Sequence, residues 1–174
     1  ESMPLQIVGV DPGLVDTGIV GITFYGVARE WAVDTKVVRA QGPSNKMSVQ
    51  EIVDAVVGIR MRTRYSKLFV EEYRPRLKLH TDKEMLELQT LLRQQLKDAT
   101  FLPNMGIKQL ITSDFMKMLG VWNFPRSTTH HHDLRSAARI ALLGGIKDDE
   151  ASPYVNQFAS NHLLPYGKPW MRIN

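Results

Sequence analysis

The chain contains no cysteine. That excludes disulfide frameworks and thiolate metal sites, and it suits a reducing, cytoplasmic setting. No apolar run approaches the roughly 20 residues needed to span a bilayer, so no membrane partner is expected. The N-terminus lacks a basic stretch leading into a long apolar segment, so no secretory leader is expected. Glu1-Ser2 ahead of Met3 reads as a cloning remnant, with Met3 as the start. Internal repeats and low-complexity linkers are absent. Neither sign of charge dominates: 22 basic against 18 acidic residues give a net charge of +4, and the pI is about 9.4. Such an excess hints at a polyanionic partner without establishing one. What is present is 174 residues that are 43% hydrophobic. That suffices for one domain with a real core, taken as residues 1–174.

The apolar run Leu5 to Val10, interrupted by Gln6, predicts a strand that delivers Asp11 to a Pro12-Gly13 turn. Thr17-Gly18 follows, then a second apolar strand from Gly18 to Phe24. The two form a hairpin with an acid at its mouth. A third strand is expected over Trp31 to Val38. Ser48 and Glu51 form a capping box for a helix running to about Arg64. Lys67 to Tyr73 reads as a short buried strand ending in acids, and Arg74 to His80 as a basic loop. Thr81 to Asp98 reads as a helix with a Met85, Leu88, Leu91, Leu92 and Leu96 stripe. A weak strand is expected over Ile107 to Ile111, and Ser113 is expected to cap a further helix. The last helix runs from His131 to about Leu143 and is closed by Gly144-Gly145. The tail 152–174, with Pro153, Pro165 and Pro169, reads as irregular. Three early antiparallel strands followed by strand–helix alternation predict an α/β domain, a mixed sheet flanked by helices.

Metal-capable residues fall at element ends. Asp11 closes the first strand; a buried acid needs a partner, and a divalent cation serves when other carboxylates converge. A capped turn whose Asp bonds local N–H groups explains it equally well. Glu71 and Glu72 close a later strand. Successive strand residues face opposite ways, so only one can meet Asp11, and a strand apolar on both faces leaves the choice open. His130-His131-His132-Asp133 opens the last helix, where Asp133 also suits the helix dipole. Ser136, Ala137, Ala138 and Ala141 let that helix approach a sheet closely.

Asp-Pro-Gly-x-x-x-Thr-Gly, a later apolar strand ending in Glu, and a late His/Asp-bearing, Ala-rich helix together resemble the RuvC family of Holliday junction resolvases. The likeness runs from about Leu5 to Gly145 and looks closest to short bacteriophage members. It implies an RNase H-like fold, with a five-stranded mixed sheet between helices. It also implies a homodimer that cuts opposed strands of a four-way DNA junction. By the same resemblance Asp11 is the first-strand acid, and Glu71, directly after Leu68-Phe69-Val70, is the second. Two registers fit the late helix. One pairs Asp133 with Ser136 and lacks a carboxylate, with His132 or a water standing in. The other pairs His130 with Asp133. Lys117 falls near a basic residue that the family places by the scissile phosphate; a solvated helix lysine is the plainer reading.

Phosphodiester hydrolysis requires an activated water and a stabilised leaving oxygen, which two cations about 3.5–4 Å apart provide. The expected assignment is two Mg2+, with Mn2+ able to substitute. Asp11 bridges them, Glu71 holds one, and Asp133 with a histidine holds the other. Arg74, Arg76 and Lys78 are expected to contact DNA phosphates, and Tyr73 to wedge into an opened junction. The leucine-striped helix is the expected dimer surface, unless it simply packs on the sheet. A broader branched-DNA, flap or RNA nuclease, and a non-catalytic junction-binding module with a degenerate site, are the alternatives. An actin-like ATP-binding domain ranks last, because it needs a second phosphate loop and a much longer chain.

Overall fold

Alternating apolar side chains on both faces require the first strand to be covered on both sides, and it lies at the centre of the sheet. The computed structural model describes residues 3–26, 30–75 and 80–163. Five strands, β1 (Leu5–Asp11), β2 (Asp16–Tyr25), β3 (Glu30–Arg39), β4 (Tyr65–Glu71) and β5 (Thr100–Leu102), are ordered β3-β2-β1-β4-β5. β1 pairs antiparallel with β2, with Asp11 opposite Gly18, and parallel with β4, with Val10 opposite Val70. β2–β3 is antiparallel and β4–β5 parallel.

Helices α1 (Val49–Arg60) and α2 (His80–Gln95) cover one face of the sheet. There Val8, Val10, Leu68 and Val70 meet Ile52, Val56, Leu88 and Leu92. The other face carries α3 (Ile107–Leu110), α4 (Ser113–Leu119), α5 (His131–Lys147) and α6 (Ser152–Leu163). On it Ile7, Val20, Ile22 and Phe69 pack with Leu134, Ala137, Ala138 and Ala141.

Alternation assigns Leu5, Ile7, Gly9 and Asp11 to the α5 face. Gly9 is where α5 lies closest. A Cβ there would collide with the Ala137 carbonyl oxygen and sit 2.6 Å from the Ala141 nitrogen. At Gly18 a Cβ would lie 2.5 Å from the Asp133 carbonyl oxygen. Two absent side chains on adjacent strands therefore set the height of α5 above the sheet and the place of its first turn.

Several elements differ from the sequence reading. Ile107 to Leu110 is a short helix, because Ile107 and Ile111, four apart, both bury on one side of a turn opened by Gly106 at φ 71°. The missing strand is β5, three residues paired in parallel with Phe69 to Glu71. Thr112, not Ser113, caps α4, its hydroxyl accepting from the Phe115 N–H at 3.3 Å. Helix α1 ends at Arg60 rather than about Arg64, while its Ser48 cap accepts from the Glu51 N–H as expected. Gly144-Gly145 does not end α5. Both stay helical, and Gly144 lies against the Phe69 ring, so its missing side chain answers a packing demand. The tail is not irregular from Ser152: α6 begins there, with Pro153 in its first turn, where a missing N–H costs nothing. Phe158 of α6 packs 5.0 Å from the Phe24 and Trp31 rings. Residues 164–174 lie outside the described residues.

The leucine stripe divides. Leu88, Leu92 and Leu96 bury against the sheet, while Leu91 stays 46% exposed beside Leu86, a residue outside the stripe that is 44% exposed. No helix among the described residues is long and apolar enough to cross a membrane.

Gly9→Ala is expected to destabilise the protein by about 1–3 kcal/mol or more, since the collision is with backbone that cannot rotate away. Urea denaturation measures this. An unchanged midpoint would mean that α5 is free to lift.

Candidate metal centre

The strand ends and the first turn of α5 meet at one corner of the sheet. The Pro12-Gly13 turn that closes β1 is held by Thr17. Its wholly buried hydroxyl accepts from the Gly13 N–H at 3.2 Å and donates to the Gly13 carbonyl at 3.3 Å. This fixes Asp11 at the mouth of the hairpin.

Glu71 shares the Asp11 face. Parallel pairing in register makes Gly9 and Phe69 neighbours, and Asp11 and Glu71 follow two residues on. The two carboxyl groups are close enough to interact directly. Gln89 of α2 donates to the Glu71 carbonyl at 3.0 Å and holds the strand end. Glu72 points the other way and forms ion pairs with Arg74 and Arg93, each at 3.0 Å.

Burial holds the Asp11 carboxyl well above the usual carboxylate range. The direct interaction with Glu71 and the negative charges of Glu71 and Asp133 push it further in the same direction. Three acids from separate elements therefore act on one another at close range.

His130 immediately precedes α5. Its Nδ1 lies 3.6 Å from Asp133 Oδ2 and 3.9 Å from Asp16 Oδ2. That nitrogen is sealed from solvent and has no hydrogen-bond partner. Asp16, His130 and Asp133 each offer one ligand atom, all within 4.8 Å of one another. Repelling carboxylates beside an unpaired imidazole nitrogen fit a divalent cation such as Mg2+ or Mn2+. Of the residues named from sequence, His130 and Asp133 fall in this cluster, and Asp133 is also the acid that acts on Asp11 and so links it to the Asp11–Glu71 pair.

The other residues named from sequence lie elsewhere. His132 is exposed on the first turn of α5. His131 Nε2 is 3.1 Å from both the N and the O of Phe124 and clamps the preceding loop. The late-helix pair brought together is His130 with Asp133; Ser136 is not part of the cluster. Lys117 is exposed on α4, its Nζ 5.2 Å from the Trp122 ring centre. Tyr73 donates its hydroxyl to Asp82, which raises the phenol pKa and ties the side chain to the first turn of α2. Arg74 is exposed beside Glu72. Arg76 and Lys78 lie outside the described residues.

Two groups were not anticipated. Asp16 opens β2 two residues before Gly18, and period-two alternation from Gly18 places it on the Asp11 face. Arg135 stacks 3.9 Å over Trp122 and donates to the Trp122 carbonyl at 2.7 Å. With Lys117 and Arg139 it surrounds that ring with three cations.

No protein-family description and no curated protein matches the chain. Solved structures do. RuvC of T. thermophilus in complex with a Holliday junction substrate superposes with a TM-score of 0.55 at 16% identity, covering 90% of this chain and 95% of that one. A second Thermus thermophilus RuvC structure gives 0.49 at 19% identity, covering 90% and 96%. The Fowlpox virus resolvase in complex with Holliday junction DNA gives 0.44 at 9% identity, covering 80% and 96%. The first of these likenesses shows the fold, which is RNase H-like.

The raised Asp11 pKa carries a sign. A carboxyl with a higher pKa folded than unfolded favours folding below the unfolded value, near 3.9, and that contribution is lost as pH rises through the folded value. Without metal, Asp11→Asn is therefore expected to melt above the wild type near neutral pH, with the advantage vanishing near pH 4. Each kcal/mol relieved corresponds to about 2–4 °C in a domain of this size. Calorimetry in chelator across that range checks it. A variant that melts lower at every pH would contradict the repulsion.

Proposed function

We propose that the protein is a metal-dependent endonuclease that resolves four-way DNA junctions. The observation that carries this reading is the convergence of Asp11, Glu71 and Asp133 from two central strands and α5, with His130 beside them. The RNase H-like fold supports it, as does the T. thermophilus RuvC likeness, a protein seen with its junction substrate. The phage-type branch of that family remains part of the same reading, on the sequence motifs alone.

When bound, a pair of divalent cations supplies an activated water and offsets charge on the leaving oxygen. Asp11, which interacts with both Glu71 and Asp133, would serve both ions, Glu71 would help hold one, and Asp133 with His130 would help hold the other. No side-chain nucleophile is required. The chain's own task is to keep these donors fixed in a largely buried corner, so that little rearrangement accompanies the reaction.

DNA contacts surround the acids. Lys117 and Arg135 flank Trp122, and the described contacts of Arg135 are to neutral groups, which leaves its charge for a phosphate. Arg74, with Arg76 and Lys78 following it in sequence, supplies the other side. Tyr73, anchored by Asp82, is better suited to hold the loop than to enter DNA. Leu86 and Leu91 on the outer face of α2 are the apolar surface for a second copy, and a two-fold dimer would match the symmetry of a junction.

Cleavage of a labelled four-way junction, against linear duplex of the same sequence, tests the reading. Symmetric nicks in the junction alone, present with Mg2+ and lost with chelator, are expected. Cuts in flaps or RNA at equal rates would shift the substrate. Tight junction binding with no cuts in Mg2+ or Mn2+ would replace the enzyme with a binding module. Asp11→Asn should reduce cleavage to background while retaining junction binding. Reversing the charge of Arg74 and Arg76 should weaken binding at moderate salt and lower the salt slope by about one per lost phosphate contact. An unchanged slope would remove both from the interface.

A further inference from the structure

We propose that Asp16 is a further metal ligand of this centre, sharing one divalent cation with His130 and Asp133. The assignment rests on the metal-dependent reading above and adds a carboxylate that the motif comparison does not supply.

The distances carry it. His130 Nδ1 lies between two carboxylate oxygens, 3.9 Å from Asp16 and 3.6 Å from Asp133. Both separations are too long for hydrogen bonds. Two ligand atoms each about 2.1 Å from one ion lie about 3 to 4.2 Å apart, depending on the angle between them. The observed spacings fall in that interval, and all three donors lie within 4.8 Å of one another.

The two oxygens of Asp16 face different partners. Oδ1 accepts from Arg39 Nε at 3.2 Å, and Oδ2 is the one turned toward His130. A surface ion pair alone would explain Oδ1. Arg39 is 66% exposed, so that pair is weak in water, whereas Asp16 is only 23% exposed. The pair leaves Oδ2 unexplained, along with the sealed Nδ1 that it faces.

The strand fixes Asp16 in place. It is the first residue of β2, paired with Arg39 of β3, two residues before the Gly18 on which the first turn of α5 rests. The contact that positions Asp133 therefore also brings Asp16 and His130 together. An imidazole among carboxylates favours Mn2+ relative to Mg2+, since nitrogen donors suit the transition metal.

The test uses the full chain without DNA. Mn2+ is titrated and free ion is followed by electron paramagnetic resonance, for wild type, Asp16→Asn, Asp16→Glu and Arg39→Gln. Circular dichroism and melting confirm that each variant folds. Asp16→Asn is expected to lower Mn2+ affinity by about tenfold or more. Asp16→Glu, which keeps a carboxylate, should recover part of the loss, and Arg39→Gln should stay within about twofold of wild type.

Equal Mn2+ affinity in wild type and Asp16→Asn would overturn the assignment while leaving the nuclease reading intact. A loss reproduced in full by Arg39→Gln would overturn it too, making Asp16 a structural ion-pair residue. A wild-type protein that takes up no Mn2+ would remove both this ligand and the metal-dependent reading. If Asp16→Asn fails to fold, Asp16→Glu and Arg39→Gln decide. Near-wild-type binding in the first together with loss in the second would count against a ligand role.

Discussion

Everything at the functional corner depends on how closely α5 lies on the sheet. Gly9 and Gly18 present bare backbone on adjacent strands, and the carbonyls of Ala137 and Asp133 occupy the space that side chains would fill. Ala137, Ala138 and Ala141 complete the fit from the helix side. Interiors are packed too tightly for the helix to slide without cost. The first turn of α5 is thereby set over the end of β1, and Asp133 reaches the field of Asp11. The Thr-Gly half of the early motif then has a mechanical meaning. Thr17 clamps the turn carrying Asp11, and Gly18 admits the helix carrying Asp133.

That docking works against stability at one point. It places Asp11 in a largely buried position beside two other acids, where the ionised form is disfavoured by desolvation and by like charge. On the proposed reading hard cations would supply the missing opposite charge, and the same charge would suit the chemistry of a phosphodiester. Trp122, ringed by Lys117, Arg135 and Arg139, shows the opposite imbalance, cations whose described contacts include no carboxylate. On the proposed reading these cations would take phosphates of the bound polyanion.

Much of this was legible in the sequence because strands advertise their ends. The apolar runs before Asp11 and Glu71 located both acids, and the small residues after Asp133 announced a helix lying close to a sheet. Alternation in one doubly buried strand left Glu71 and Glu72 open and only the family resemblance favoured Glu71; the parallel register of β1 and β4 is what puts Glu71 on the Asp11 face. Asp16 was hidden for a related reason. It stands in what reads as a turn, and only the point where β2 begins puts it on the face of Gly18. That His130 rather than His132 faces Asp133 follows from the chain entering α5 through the 3-10 turn Pro125–His130, a three-dimensional detail. Ile107 to Ile111 shows the ambiguity of short apolar segments, and Gly144-Gly145 shows that glycine near a helix end can serve packing rather than termination.

The account stands or falls on whether cations bind where the acids meet. Anomalous diffraction from crystals of the protein soaked in Mn2+ locates them directly. The account predicts anomalous peaks in the corner enclosed by Asp11, Glu71 and Asp133, within about 2.5 Å of carboxylate oxygens. No peak there at saturating Mn2+, with Asp11 and Glu71 left where they are, would contradict it and make the acids a structural cluster.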